Sequence, residues 1–160
     1  MRTLPWIALL TFSLAACSRN AGSVGNASSA TEVTQGTASA STTVGGVTLQ
    51  TSTIAVTDLN AAIATRYGID HAREGVLLLV TVRDAAGNAV AAGDLRLQAT
   101  AGTLTEPAKP LPLRAVVTGD MTDYIGVYST GAPATVQFRL TATSGTSRAD
   151  IATTAELYPR

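Results

Sequence analysis

The sequence predicts an all-β domain: an antiparallel β-sandwich of immunoglobulin-like type with one short helix, preceded by a signal peptide and a disordered linker. Three observations predict it. Short segments alternate apolar and polar residues, turn clusters rich in Gly, Asp and Pro separate them, and a Ser/Thr/Gly-rich stretch follows the first apolar run. We therefore divide the 160 residues into a signal peptide (1–16), a lipidated cysteine with its linker (17–46) and a β-sandwich domain (47–160).

The N-terminal segment has the parts of an export signal. Arg2 supplies a positive charge, and an apolar run follows from Leu4 to Leu14. As a helix this run is too short to cross a hydrocarbon core of about 30 Å. The small residues Ala15 and Ala16 then provide a site at which a signal peptidase can cut.

The residues Leu14-Ala15-Ala16-Cys17 resemble the lipobox of bacterial lipoproteins. The resemblance implies that the Cys17 thiol receives a diacylglyceryl group, that cleavage occurs just before it, and that acyl chains such as palmitate anchor the protein in a membrane. Ser18 is not acidic, which by the same resemblance implies the periplasmic face of the outer membrane. Cys17 is the only cysteine, so a lipidated chain has no thiol left for a disulfide, catalysis or metal binding.

The stretch from Ser18 to Gly46 is rich in Ser, Thr, Ala and Gly, and its only charged residues are Arg19 and Glu32. No apolar period of a helix or a strand persists through it. Such a composition buries too little apolar surface to offset the entropy of ordering, which predicts a disordered linker.

One helix is predicted at the start of the domain, from Leu59 to Ile69. Asn60 can cap its first free amide groups, and Gly68 can adopt the left-handed conformation that ends a helix. Leu59, Ile63 and Tyr67 lie four residues apart and form one apolar face, which we expect to pack against a sheet.

Strands account for the rest of the domain. The segment Gly75–Arg83 is apolar on both faces at its centre, which predicts an interior strand, and the turn Asp84–Asn88 leads to a hairpin partner. The other predicted strands alternate, and one contains a proline that suits an edge or a strand start. The predicted strands after the first are Ala89–Ala92, Leu95–Ala99, Leu111–Val116, Tyr124–Tyr128, Thr135–Ala142 and Ile151–Tyr158.

Several short motifs are similar to those of the exported bacterial proteins grouped as DUF4426. The motifs are Leu59, Asn60 and Ala64 with the triplet Tyr67-Gly68-Ile69; His71, Arg73 and Val76–Val82; Tyr124-Ile125 with Tyr128; Val136, Phe138, Leu140 and Ala142; and Tyr158. The triplet Tyr67-Gly68-Ile69 is interpreted as a packing or surface motif. The family is uncharacterised, so the resemblance implies no activity.

The charged residues offer few candidates for chemistry. The 11 basic and 11 acidic residues balance, and no basic stripe predicts binding to nucleic acid. His71, flanked by Asp70, Arg73 and Glu74, could form a metal or acid–base site, but we interpret it as part of a solvated loop.

Asp120 and Asp123 could pair as carboxylates, yet they adjoin a turn, where aspartate commonly bonds to its own backbone. We predict no catalytic residue, metal or cofactor. The domain's aromatic residues are assigned to the core: Tyr67, Tyr124, Tyr128, Phe138 and Tyr158.

These observations favour a non-enzymatic binding or accessory module of the cell envelope, held to the membrane through Cys17 and contacting an envelope protein. Two alternatives stay open. The chain could be a structural component of an envelope complex, or a hydrolase or metal-binding domain that uses His71 with Asp70 or Glu74.

Overall fold

The computed structural model describes residues 32–34 and 37–159. The expected signal peptide with Leu14, Ala15 and Ala16, the lipidation residue Cys17 and the first part of the linker lie outside the described residues. The described part consists mainly of strands, with an α-helix, α1 (Ala61–Tyr67), and a 3-10 helix (Val56–Asp58). The strands are β1 (Glu32–Thr34), β2 (Thr37–Val44), β3 (Val47–Ala55), β4 (Val76–Arg83), β5 (Arg96–Thr103), β6 (Lys109–Leu111), β7 (Arg114–Thr118), β8 (Met121–Tyr128), β9 (Ala134–Ser144) and β10 (Ser147–Leu157).

The strands form two antiparallel sheets that pack face to face. Sheet I has the order β1-β2-β3-β4-β8-β7, and sheet II has the order β10-β9-β5-β6. This arrangement confirms the predicted antiparallel β-sandwich with one short α-helix.

The main core lies between the two sheets and follows the period of two that strands impose. On β4, Val76, Leu78, Val80 and Val82 face sheet II, where Phe138 of β9 is fully buried. β4 pairs with β3 on one side and with β8 on the other. The prediction of an interior strand at this position is therefore confirmed.

The helix α1 packs on the outer face of sheet I, the face that points away from sheet II. Asn60 caps the helix by accepting a hydrogen bond from the Ala62 amide at 2.8 Å, and Gly68 ends it with φ of 60°. A second cluster of buried residues lies under the helix; it contains Val56, Leu59, Ala64, Leu77 and Ile125.

The expected apolar face of the helix is wrong at one position. Leu59 is buried and Tyr67 is half-buried, but Ile63 is 43% exposed, and the small Ala64 makes the buried contact instead. A short helix that lies close to a sheet accommodates Ala better than Ile at the point of closest approach.

The predicted linker is wrong for residues 32–34 and 37–44, because β1 and β2 occupy them, and β2 pairs with both β1 and β3. Ala38, Ala40 and Val44 are buried against the core, whereas Ser41 is exposed. The amino-acid pattern does not identify β2, because its inward side chains are too small to show a clear apolar period. The strand pairing places the start of the folded domain before Val47.

Two other predicted strands are corrected. Ala89 makes one bridge to Arg83, but residues 90–94 form no strand. The predicted strand Leu111–Val116 is divided between the sheets: Leu111 pairs with Ala99 of sheet II, while Arg114 pairs with Ile125 of sheet I. Pro112 lies at the crossing, where its missing amide hydrogen costs no ladder hydrogen bond.

Candidate functional site

An apolar groove lies between α1 and the outer face of sheet I. We call it the α1 groove. Its volume is about 280 Å³. Its lining consists of Ser52, Thr53 and Ile54 of β3, Leu59, Ile63, Arg66 and Tyr67 at the helix, and Leu77 and Leu79 of β4.

The groove exists because α1 covers only part of a face that is apolar over a wider area. Ile54 and Leu79 remain half-buried on the uncovered part, and Ile63 projects beside them. The floor strands β3 and β4 are both interior strands, and their backbone groups take part in sheet pairing. The groove therefore offers mostly hydrocarbon to a ligand.

One end of the groove adjoins a buried carboxylate. Asp123 is only 6% exposed, and it accepts a hydrogen bond from the Tyr67 hydroxyl. Burial raises the pKa of Tyr67 above its usual value, and the negative charge and hydrogen bond of Asp123 raise the same pKa further. The interpretation of Asp123 as a turn residue is wrong, since it lies on β8 with its side chain under α1; Asp120 does lie in the turn.

Thr81 of β4 lies directly across from Asp123 of β8. The hydroxyl oxygen of Thr81 and Oδ1 of Asp123 are both buried and have no hydrogen-bond partner. Thus two polar atoms lie near each other on the face that α1 covers. Sequence reasoning missed this pair because only the register of β4 against β8 brings the two residues together.

The segment after the helix is held by hydrogen bonds to near and distant parts of the chain. A ring nitrogen of His71 bonds to the backbone carbonyl of Leu59, and Asp70 accepts from the Ala72 amide at 3.0 Å. Arg73 donates to the Ser129 hydroxyl at 3.0 Å. His71 therefore ties the loop to the residue that precedes the helix cap. Within the described residues, no three His, Cys, Asp or Glu side chains come together as a metal site.

The triplet Tyr67-Gly68-Ile69 lies between two concavities. Tyr67 lines the α1 groove, whereas Gly68 and Ile69 line a second cavity of about 220 Å³ together with Arg73 and Arg114. A side-chain nitrogen of Arg114 also donates to the Tyr67 carbonyl. This hydrogen bond joins the end of α1 to the edge strand β7.

A third concavity, of about 340 Å³, lies at one end of the sandwich between the residues 103–106 and the end of β10. Leu104 and Tyr158 are 74% and 67% exposed at this place. The assignment of Tyr158 to the core is therefore wrong: the strand ends at Leu157, and the Tyr158 hydroxyl donates to Glu156 at 2.9 Å. The assignment is right for Phe138, which is fully buried.

Comparison with known proteins identifies the family. The model of the family described as "Domain of unknown function (DUF4426)" matches residues 41–160. The chain belongs to the DUF4426 family. The start of this match at residue 41 lies within β2, in agreement with a folded domain that begins before Val47.

The fold is similar to the crystal structure of a DUF4426 family protein from Pseudomonas aeruginosa PAO1. The two chains are 14% identical, and the similarity covers 75% of this chain and 94% of that chain with a TM-score of 0.58. The chain matches no curated protein. Among the described residues, none of the helices has the length and apolar character needed to cross a membrane.

Proposed function

We propose that this protein is a lipid-anchored, non-enzymatic binding module of the bacterial cell envelope. The α1 groove carries the binding part of the proposal. Its lining presents aliphatic side chains from Ile54, Leu59, Ile63, Leu77 and Leu79 and one charged side chain, Arg66. Such a lining suits a ligand that buries apolar surface, since small-molecule sites are mostly apolar with a few placed polar groups.

The lipobox resemblance of Leu14-Ala15-Ala16-Cys17 supports the anchored part of the proposal. Lipidation of Cys17 would hold the domain close to a membrane, because two or three acyl chains together make a stable anchor. Ser18 favours the periplasmic face of the outer membrane. The segment between Cys17 and β1 would set how far the domain reaches from that surface.

Replacement of Cys17 tests the anchor. We expect Cys17→Ala to accumulate as an uncleaved precursor and to incorporate no radiolabelled palmitate, because alanine has no thiol to acylate. The matched control is Ser18→Ala, which keeps the cysteine and should be processed and labelled like the unmodified protein. A Cys17→Ala protein that is cleaved and fractionates with the outer membrane as before would contradict the proposal.

A second candidate function is that of a structural component of an envelope complex. The exposed side chains of Leu104 and Tyr158 favour it, because large apolar residues beside one concavity are typical of protein contact surfaces. A photo-crosslinking amino acid at position 104 should capture one defined envelope protein in intact cells. The same probe at Gln98, an exposed position on the outer face of sheet II, should not capture it.

A further inference from the structure

We propose that the α1 groove binds a single-chain anionic lipid, such as a fatty acid or a lysophospholipid with an anionic head group. The hydrocarbon chain lies in the groove between α1 and strands β3 and β4, and the anionic head group contacts Arg66. This inference rests on the binding role proposed above and specifies its ligand class.

The lining selects for hydrocarbon. Leu77 and Leu79 form the floor on β4, Ile54 borders it on β3, and Ile63 of α1 is 43% exposed beside it. Each methylene group that leaves water for such a surface contributes about 0.8 kcal/mol. An alkyl chain therefore gains from contact along the whole groove.

A polypeptide segment fits the same groove poorly. Its backbone amide and carbonyl groups would need partners, but β4 already pairs with β3 and β8, and β3 pairs with β4 up to Ala55 and with β2 from Val47 to Ser52. The Thr53 hydroxyl is also engaged, since it donates to the Ala38 carbonyl at 3.3 Å. Peptide groups buried without hydrogen bonds are costly, whereas an alkyl chain carries none.

The positive charge of Arg66 at the groove favours an anionic head group. Arg66 is the one charged residue in the lining, it is exposed, and within the described part of the chain neither ion pair involves it. The neighbouring Tyr67 hydroxyl is engaged with Asp123. A guanidinium group binds carboxylate and phosphate with two parallel hydrogen bonds, and it repels an ammonium group.

The binding test uses the chain from Cys17 to Arg160 with Cys17→Ser, so that no covalent acyl group competes for the groove. Sodium dodecanoate is titrated below its critical micelle concentration, and backbone and methyl resonances are followed by NMR. We expect saturable one-to-one binding with the largest shifts at Ile54, Ile63 and Leu79. Dodecylammonium, which has the same chain and the opposite charge, should bind at least fivefold more weakly.

Two pairs of variants locate the ligand. We expect Arg66→Gln to weaken dodecanoate binding about fivefold, the effect of one exposed charge pair. Arg96→Gln, at an exposed position on sheet II, should leave it unchanged. Ile63→Asp should weaken it about tenfold or more, because a carboxylate would then lie against the alkyl chain. Val117→Asp is its control, since Val117 is exposed on β7 and does not line the groove.

The proposal would be overturned by dodecanoate that does not saturate one site, by dodecylammonium that binds equally well, or by equal affinities for Ile63→Asp and Val117→Asp. A peptide with an apolar carboxyl-terminal residue that displaces dodecanoate and binds more tightly would also overturn it in favour of a protein ligand. None of these outcomes bears on processing at Cys17, so failure of the ligand and failure of the anchor are distinguishable.

Discussion

The Tyr67 side chain contributes both to the stability of a short helix on a sheet and to the shape of the α1 groove. Seven residues are too few for a stable isolated helix, so α1 depends on its contacts with sheet I. Leu59 and Ala64 supply apolar contacts, and the Tyr67 hydroxyl supplies a hydrogen bond to the buried carboxylate of Asp123. The same tyrosine lines the α1 groove, so the stability of the helix and the shape of the groove are coupled at this residue.

Replacing Tyr67 with Phe tests this coupling. We expect Tyr67→Phe to lower the free energy of unfolding by about 1 kcal/mol at pH 7, because Asp123 loses a hydrogen-bond donor while the ring is kept. Urea denaturation followed by circular dichroism measures the change. Tyr158→Phe is the control: its hydroxyl also bonds to a carboxylate, but at an exposed position, and its stability should stay unchanged.

The difference in unfolding free energy between the unmodified protein and Tyr67→Phe should also depend on pH. The pKa of Tyr67 is raised in the folded state above its usual value of about 10, so its contribution to stability is fully present below that pH. The contribution is lost as the pH rises through the folded-state pKa. The stability difference between the unmodified protein and Tyr67→Phe should therefore shrink in strongly alkaline solution. A difference that grew with pH would contradict the hydrogen bond to Asp123.

At the scale of elements, the start of β4 is a tightly constrained connection. Gly75 precedes the strand with φ of 151°, and its carbonyl accepts a hydrogen bond from the Val56 amide at 2.9 Å. A Cβ atom at Gly75 would lie 2.4 Å from the backbone carbonyl oxygen of Tyr128. Glycine is thus needed here both for the backbone conformation and for the close approach of β8.

We expect Gly75→Ala to cost several kcal/mol of unfolding free energy, because backbone atoms on both sides would have to move. The matched control is Gly87→Ala, where φ is also positive at 85° but nothing lies within 4 Å of an added Cβ. That control should cost only about 1 kcal/mol, the strain of a left-handed alanine. Similar melting temperatures for the two variants would show that the close contact is unimportant.

At the scale of the whole molecule, β2 decides where the domain begins. It covers one side of β3, and its carbonyl groups at Ala38 and Ala40 accept hydrogen bonds from the buried hydroxyls of Thr53 and Thr51. Loss of β2 would leave these hydroxyls without partners and expose the inner side chain of Leu49. Although the inward side chains of β2 are small, the strand is needed to complete the sandwich.

A chain of residues 47–160, without β2, should therefore fail to form a cooperative fold, and it should aggregate through the unpaired edge of β3. A chain of residues 37–160 should unfold cooperatively and show well-dispersed amide resonances. Thermal denaturation and two-dimensional NMR of both chains distinguish these states. If residues 47–160 melted cooperatively within a few degrees of the longer chain, β2 would be dispensable.

Elements whose information is local could be predicted from the amino-acid sequence. Such local signals are the alternation along β5, β8, β9 and β10, the continuous apolar run of β4, and the cap residues Asn60 and Gly68. In each of them, the residues that carry the signal lie close together in the sequence. Each therefore predicts its own conformation, and together they predict an antiparallel sandwich with one helix. The family resemblance was carried by these same local motifs and is confirmed by the match over residues 41–160.

The tertiary structure alone decided what depends on residues far apart in the chain. The strand character of β2 arises from its pairing with β3, because its small side chains carry little period of their own. The contact between Tyr67 and Asp123 and the α1 groove arise from strand register and from how much of sheet I the helix covers. Such features reflect packing between distant segments, and local pattern does not encode them.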